Sequence, residues 1–256
     1  DMIVVTGAAG FIGSCMVSKL NQENFKDIIV VDDFSRADKN ANLEEKIFTA
    51  KVHRNDFFDW LKENENQVQF IFHIGARTDT SEFDVNLFDK LNLNYTKEMW
   101  NACIKFGIPL LYASSAATYG LGEQGYDDSH EGVDKLAPLN PYGDSKNDFD
   151  KWALAQERQP YFWAGMKFFN VYGPRSRTSG TYGAVFGVFL AQKLAGKPFT
   201  VVGDGSQTRD FTYVSDIVEA ILTAANTDIS GKIYNVGSGN TVSINRLVEL
   251  LDGKKV

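Results

Sequence analysis

The chain has 256 residues, of which 43% are apolar and 23% are charged, a composition typical of a soluble globular protein with a sizeable core. Its formal net charge of −7 disfavours non-specific binding to nucleic acid or to an anionic membrane surface. No apolar run approaches the roughly 20 residues that a membrane span needs, and no signal peptide is visible, so we expect a cytoplasmic protein without a membrane partner. Cys15 and Cys103 lie in apolar helical stretches, which favours buried thiols over a disulfide or a metal site.

Strand-like and helical segments alternate along the chain. Short apolar runs predict strands at 2–6, 27–32, 68–74, 109–114, 164–168, 199–202 and 233–236. Helices are predicted from the glycine turn at 7–13 to about residue 20, and at 87–106, 140–156, 184–195, 214–225 and 244–251. This alternation implies right-handed crossovers and an α/β fold with a doubly wound, mostly parallel, Rossmann-like sheet.

Glycine and proline cluster at 172–183 and 196–206, where we expect the chain to leave the sheet. The sequence therefore predicts a dinucleotide-binding domain over residues 1–171, to which residues 211–237 return. Residues 172–210 and 238–256 are predicted to form a smaller C-terminal substrate lobe.

The first predicted strand runs into glycines at Gly7, Gly10 and Gly13, spaced as G-x-x-G-x-x-G. Glycine is needed where a backbone turns sharply against a pyrophosphate, and the following helix directs its free N–H groups at that anion. A purely structural turn is the alternative, but the strand before it and the helix after it are the context that the motif requires. We expect the turn to bind the cofactor, together with Phe11 and Ile12.

The choice between NAD and NADP stays open. Asp32 ends the second predicted strand, where a carboxylate bonds the adenosine ribose and repels a 2′-phosphate, which favours NAD. Arg36, Lys39 and Arg54 could neutralise that phosphate, so we expect either cofactor to be accepted, with Lys39 and Arg54 mattering for NADP.

Tyr142 and Lys146 are four residues apart and share one face of a predicted helix. An ammonium and the nicotinamide charge both favour a phenolate, and lowering a tyrosine pKa by about 3 units takes about 4 kcal/mol. Ser115 follows a predicted strand upstream, at the edge where α/β sheets bind ligands. The pattern Y-x-x-x-K alone usually lies on a surface helix. Together with a serine at the end of a strand, it predicts a site for hydride and proton transfer.

Five segments together resemble the extended short-chain dehydrogenases/reductases that act on nucleotide sugars: TGAAGFIG (6–13), FIFHIGA (70–76), YASSAATYG (112–120), PYGDSK (141–146) and FFNVYGP (168–174). The resemblance implies an NAD(P)-dependent epimerase of a nucleotide-diphosphate sugar, which oxidises the sugar transiently to a keto sugar and reduces it again. It implies that Ser115, Tyr142 and Lys146 are catalytic, and that Tyr142 and Lys146 also contact the cofactor. Further implied contacts are Ala76 and Asn94 to the cofactor, with Asn94 supporting the active-site helix, and Ser115, Asn170 and Arg209 to the substrate. A homodimer or higher homo-oligomer is also implied.

Two parts of the chain resemble different members of this family. Residues 2–174 are similar to ADP-glyceromanno-heptose 6-epimerases, and residues 175–256 to UDP-hexose 4-epimerases, as in a natural mosaic or an engineered chimera. In the heptose enzymes a second base, a lysine, follows the NVYGP segment, whereas this chain has Ser179 there. Family members also continue further, so we expect an incomplete substrate lobe.

The sequence bears on three alternatives to a general sugar-nucleotide epimerase. A 4,6-dehydratase carries an acid beside the catalytic serine, whereas this chain has Ala116 and Ala117, which cannot do general acid work. An ADP-glyceromanno-heptose 6-epimerase proper and a non-catalytic, truncated or chimeric scaffold stay open. His73 is expected to be a packed histidine, and Leu91, Met99, Trp100 and Cys103 to face either the core or another subunit.

Overall fold

The computed structural model describes residues 1–76, 83–124, 126, 128–168, 171–172, 208–210, 212–227, 229–236 and 241–243, the backbone alone being described at 171–172, 208–210, 212–216 and 241–243. Its strands are β1 (Met2–Thr6), β2 (Ile28–Asp32), β3 (Ala50–His53), β4 (Val68–His73), β5 (Leu110–Ser115), β6 (Trp163–Phe168), β7 (Val171–Tyr172), β8 (Thr208–Asp210), β9 (Thr212–Tyr213), β10 (Lys232–Val236) and β11 (Thr241–Ser243). Its α-helices are α1 (Phe11–Gln22), α2 (Ala37–Asn40), α3 (Phe57–Asn64), α4 (Val85–Phe88), α5 (Tyr95–Phe106), α6 (Pro141–Ala155) and α7 (Val214–Ala225).

Seven strands form one parallel sheet in the order β10-β6-β5-β4-β1-β2-β3. The order reverses between β1 and β4, because the chain first builds outward from β1 and then crosses to its other side. This is the doubly wound arrangement, in which ligands bind beyond the carboxyl ends of the strands at the point of reversal. The predicted Rossmann-like fold is therefore confirmed.

Apolar side chains cover both faces of the sheet, as expected for a parallel sheet with helices on each side. Ile3 and Val5 face a cluster that includes α1 and α7, whereas Val4 faces a second cluster that includes α3, α5 and α6. Lys19 of α1 also pairs with Glu219 of α7. Helices thus hold the sheet from both sides and leave its carboxyl edge for the site.

The predicted helix over 87–106 is three segments in the structure. A π-helical stretch, Asp89–Asn94, joins α4 to α5 and changes the register of the face turned to the core. Met99, Trp100 and Cys103 of α5 are fully buried within this chain, so they belong to the core rather than to a subunit interface. Strand β3 was not predicted, because its AKVH sequence is short and half exposed.

The outer strand β10 has side chains along its free edge. The N–H of Asn235 donates to Asp128 Oδ2 at 2.9 Å, and the N–H of Ile233 donates to His130 Nε2 at 3.3 Å. Residues 233 and 235 point the same way because backbone N–H directions alternate along a strand. The segment after β5 therefore covers the edge of the sheet.

Within the described ranges, no helix is both long and apolar enough to cross a membrane. The same part of the chain contains no group of three or more His, Cys, Asp or Glu side chains arranged to hold a metal ion. Neither cysteine forms a disulfide, and burial raises the pKa of the Cys103 thiol. The predicted strand at 199–202 and the helices at 184–195 and 244–251 lie outside the described residues.

Candidate active site

The glycine turn between β1 and α1 is closed so tightly that side chains would not fit. Gly7 has a φ of +64°, and a Cβ there would lie 2.6 Å from Cα of Gly75. A Cβ on Gly13 would lie 2.1 Å from the carbonyl oxygen of Gly7. Both positions therefore require glycine, which allows the turn to pack against the end of β4.

The turn presents a helix terminus to the carboxyl edge of the sheet. Gly10 is the N-cap of α1 and no side chain caps it among the described contacts, so the N–H groups of the first turn, including those of Phe11 and Ile12, suit an anionic ligand. Asp32, at the end of β2, accepts a hydrogen bond from Ala9 N–H at 3.0 Å. This juxtaposition of free N–H groups and a strand-end carboxylate fits a dinucleotide pyrophosphate and its ribose.

The cations predicted for NADP lie around Asp33. Arg54 Nη1 is 3.6 Å from Asp33 Oδ2, while Arg36 pairs with Asp38 at 2.5 Å. Burial acts to raise the pKa of Asp33, but hydrogen bonds from Ser35 and the charges of Arg54 and Lys39 outweigh it and lower that pKa. Lys39 and Arg54 thus share one location, and Arg36 is held by a different carboxylate.

His73, at the end of β4, is a packed and hydrogen-bonded residue. Its Nδ1 is 2.7 Å from Thr6 Oγ1, and its Nε2 is 3.1 Å from Thr96 Oγ1. Thr6 Oγ1 also accepts a hydrogen bond from Gly75 N–H, so its own proton is free for His73 Nδ1. Burial and the charge of Lys146 lower the pKa of His73 to about 3, so the ring is neutral. Ala76 lies three residues further along the chain and is half-buried.

Ser115, Tyr142 and Lys146 meet where β5 ends and α6 begins. Ser115 is the last residue of β5, and its Oγ accepts a hydrogen bond from Ala117 N–H at 3.0 Å. Lys146 Nζ donates to the carbonyl oxygen of Ala113 at 2.7 Å, which fixes α6 against the same strand. All three residues are buried. The structure therefore brings the predicted trio to one edge of the sheet.

Helix α6 begins where it does for local reasons. Asn140 is the N-cap and its Oδ1 accepts from Gly143 N–H at 2.8 Å, while Pro141 occupies the first position, where no N–H is needed. A Cβ on Gly143 would lie 2.8 Å from the carbonyl oxygen of Ala117, so glycine lets the helix approach the turn after Ser115. These features place Tyr142 in the first turn.

Lys146 has an unusual electrostatic environment. Burial lowers the pKa of its ammonium to about 8, although the charge of Asp150 acts in the opposite direction. An ammonium in this range is still mainly charged at neutral pH and can stabilise a phenolate one turn away.

Asn92 holds the first turn of the active-site helix through Ser145. Asn92 is buried in the π-helical stretch, and its Nδ2 donates to Ser145 Oγ at 3.0 Å. Ser145 in turn donates to the carbonyl oxygen of Tyr142 at 2.7 Å. The family resemblance implies this role for Asn94, which is exposed and lies two residues further along the same π-helical stretch. The contact of Asn94 with the cofactor stays a prediction.

Two further charged residues escaped sequence reasoning. Asp150 of α6 and Lys167 of β6 are both buried beside the trio, and their charged atoms are 3.9 Å apart. Asp150 could have been found by continuing the Tyr142–Lys146 row by one more helical turn. Lys167 carried no such signal.

Part of the predicted substrate site is not described. Asn170, Ser179 and the polar run at 77–81 lie outside the described residues. Arg209 lies in β8, where its backbone pairs with Val242 of β11.

The parallel fold, the glycine turn and the serine, tyrosine and lysine at one strand edge are those of a nicotinamide-dependent short-chain dehydrogenase/reductase. The sequence model of one such family matches residues 3–237, and the chain belongs to it: the NAD dependent epimerase/dehydratase family.

Comparison with known proteins supports this assignment. The chain is 42% identical over 253 residues to an ADP-L-glycero-D-manno-heptose-6-epimerase of Fusobacterium nucleatum, covering 94% of this chain and 76% of that protein. The solved UDP-glucose 4-epimerase of Thermotoga maritima with UDP-glucose superposes with a TM-score of 0.84 at 27% identity, covering 98% and 82% of the two chains. The Thermus thermophilus UDP-glucose 4-epimerase complex with NAD gives 0.81 at 27% identity, with coverage of 100% and 86%. The prediction of an NAD(P)-dependent nucleotide-sugar epimerase is thereby confirmed.

Proposed function

We propose that Ser115, Tyr142 and Lys146 carry out the epimerisation of a nucleotide-diphosphate sugar. One observation carries this assignment: the Lys146 ammonium is fixed to the carbonyl of Ala113, two residues before Ser115, while Tyr142 lies one helical turn away on the same face. A scaffold without catalytic function has no need to bury a lysine at this point, because burial of a cation is costly.

Each of the three residues has a distinct task. Tyr142 accepts the proton of the sugar hydroxyl and later returns it, as general base and then general acid. Ser115 donates a hydrogen bond to the oxygen that alternates between hydroxyl and carbonyl. Lys146 stabilises the phenolate by its charge. A bound nicotinamide cofactor would supply the acceptor and then the donor of the hydride for the same carbon, so that no net electrons or protons would be lost over one cycle.

The cofactor contacts follow from the turn. Gly7, Gly10 and Gly13 let the backbone approach the pyrophosphate, which the N–H groups of Phe11 and Ile12 bind. Asp32 bonds the adenosine ribose. Ala76, Asn94, Tyr142 and Lys146 are proposed to line the nicotinamide side, and Lys39 and Arg54 to admit the 2′-phosphate of NADP.

The division of the chain is also part of the proposal. Residues 1–171 together with 211–237 form the dinucleotide-binding domain, and residues 172–210 and 238–256 form the substrate lobe. The parallel pairing of β10 with β6 supports the return of the chain to the first domain. Asn170 and Arg209 are proposed to contact the substrate diphosphate. A cytoplasmic location and a homodimer or higher homo-oligomer stay predictions of the sequence.

The identity of the sugar depends on how many bases the enzyme has. Ser179 replaces the second base that the resemblance to heptose epimerases implies, and a hydroxyl is protonated near neutral pH and a poor base. Tyr142 can serve both half-reactions only if the keto sugar turns over and presents its other face. We therefore propose the single-base route that the resemblance to 4-epimerases implies.

A screen of ADP-, UDP-, GDP- and dTDP-sugars tests the proposal, with each product detected as a chromatographic shift at unchanged mass. We expect one or more hexose derivatives to be epimerised. Failure of every sugar nucleotide, with cofactor bound, would contradict the proposed function.

An ADP-heptose 6-epimerase is the second candidate, favoured by the relative that is 42% identical. On the single-base route, the unmodified chain turns over ADP-heptose weakly or not at all. Replacing Ser179 by Lys should then raise heptose epimerisation about tenfold or more, since a lost base typically costs 10²–10⁴-fold. Ser179→Ala is the matched control, and its rate of ADP-heptose epimerisation should stay as low as that of the unmodified chain. Rapid ADP-heptose turnover by the unmodified chain would contradict this route.

A further inference from the structure

The active-site face of α6 continues one turn beyond Lys146. Tyr142, Lys146 and Asp150 are spaced four residues apart and therefore lie in one row along the helix. The side chain of Asp150 is fully buried. A carboxylate is almost never fully buried unless other groups compensate its charge. Asp150 therefore lies one helical turn beyond Lys146 and two turns beyond Tyr142.

Asp150 is bound to the same short segment of β5 as Lys146. Its Oδ1 accepts a hydrogen bond from Tyr112 Oη at 2.7 Å, and its Oδ2 accepts one from Ser114 Oγ at 2.7 Å. Tyr112 and Ser114 flank Ala113, whose carbonyl oxygen accepts from Lys146. Three hydrogen bonds thus fix the helix to three consecutive residues that lead to Ser115.

Two buried cations lie close to one buried carboxylate, that of Asp150. Lys146 and Lys167 are cations, and Lys167 Nζ is 3.9 Å from Asp150 Oδ2. Lys167 also lies 4.3 Å from the centre of the Tyr119 ring, which favours its charged form. A single buried carboxylate therefore lies near two buried ammonium groups, and removing it would take away the anion that acts on Lys146, while Lys167 would keep Asp128.

We infer that Asp150 is a positioning residue for the epimerase site: its carboxylate, fixed by Tyr112 and Ser114, keeps Lys146 charged in the pH range in which Tyr142 transfers protons. This inference rests on the proposed function of Tyr142 and Lys146. Asp150 acts through Lys146 and does not contact substrate.

Titratable groups from four elements lie around the pair formed by Lys146 and Asp150. They are Tyr142 and Asp150 of α6, Tyr112 of β5, Lys167 of β6 and His73 of β4. Lys167 is also influenced by Asp128 and, more weakly, interacts with His130 in the segment after β5. Burial raises the pKa of Tyr112 far above neutral, and His73 is uncharged. Burial also raises the pKa of Asp150, which Lys167 and both hydroxyl donors oppose.

The decisive variant is Asp150→Asn, which keeps the shape and removes the charge. The charge state of Lys146 is read directly by NMR titration of isotope-labelled lysine side chains, with its signal assigned by loss in Lys146→Met. The alkaline limb of kcat is measured in the holoenzyme. We expect both titrations to move to lower pH by about 1 unit, which lowers kcat about tenfold on that limb, because a nearby opposite charge shifts a pKa by 1–3 units.

Tyr112→Phe is the matched control for a purely structural role. It removes one hydrogen bond to Asp150 and keeps the carboxylate, so kcat can fall while the titration of Lys146 stays in place. Equal movement in Asp150→Asn and Tyr112→Phe, or no movement in Asp150→Asn, would overturn the inference.

Lys167→Met provides an independent test if Asp150→Asn fails to fold. Removal of the competing cation should move the Lys146 titration to higher pH; an unchanged or lower value would overturn the inference. The NMR titration needs no substrate, so it decides the role of Asp150 even if the sugar-nucleotide screen finds no activity and the proposed function fails.

Discussion

The glycine turn and the β5–α6 edge differ in the groups that they offer to a charged ligand. At the turn, the binding groups are backbone N–H groups, and the side chains are reduced to hydrogen at Gly7 and Gly13 because nothing larger fits. At the β5–α6 edge, the charges are those of Lys146, Asp150 and Lys167, held by contacts between distant positions. The first region binds through local geometry, and the second through long-range pairing of side chains.

The largest expected effect is a loss of turnover, without loss of cofactor, when the β5–α6 edge is changed. Tyr142→Phe removes the proton acceptor and should lower kcat about 100-fold or more, the loss expected for a general base, while the dinucleotide remains bound. The test is steady-state turnover of whichever sugar nucleotide the screen identifies. Tyr161→Phe is the control, because that tyrosine is 69% exposed and should leave kcat unchanged. Undiminished turnover by Tyr142→Phe would refute the assigned role.

A change at the glycine turn should instead weaken cofactor binding. We expect the purified protein to retain a dinucleotide, since an epimerase regenerates its cofactor in each cycle. Gly13→Ala places a Cβ 2.1 Å from the Gly7 carbonyl oxygen, and relieving such overpacking costs about 1–3 kcal/mol, or roughly a 5- to 150-fold loss of affinity.

Adenine dinucleotide released by denaturation measures this difference. Gly132→Ala is the control, because no atom lies within 4 Å of a Cβ built there. Full retention of the cofactor by Gly13→Ala would show that the tight turn is not needed for binding.

The smallest expected effect is on NADP binding, where the charges of Lys39 and Arg54 add to the backbone N–H groups of the glycine turn. Replacing both Lys39 and Arg54 by alanine should weaken NADP by about tenfold and NAD much less, since only NADP carries the 2′-phosphate. Binding titrations with the two cofactors give the ratio. Lys62→Ala removes an exposed lysine of α3 as a control. Equal losses for NAD and NADP would mean that the two cations only neutralise Asp33.

The sequence predicted one of these regions better than the other for a physical reason. The glycine turn and Asp32 lie in one continuous strand–turn–helix–strand unit. The spacing of Gly7, Gly10, Gly13 and Asp32 in the sequence therefore determines how they are arranged in space. The trio was recognisable because Tyr142 and Lys146 share a helix and Ser115 ends a strand. Asn92 and Lys167 were missed, since one depends on a π-helical register and the other on the order of strands in the sheet.

The two contacts on the outer edge of β10 have a consequence for association between chains. A free edge strand offers unpaired N–H groups to any other extended segment, which is a common route to aggregation. Here Asp128 and His130 already accept the N–H groups of Asn235 and Ile233, so the edge is blocked without a further strand. His130 can accept only while its ring is neutral, and burial together with Lys232 lowers its pKa. The edge therefore stays protected to a more acidic pH than an exposed histidine would allow.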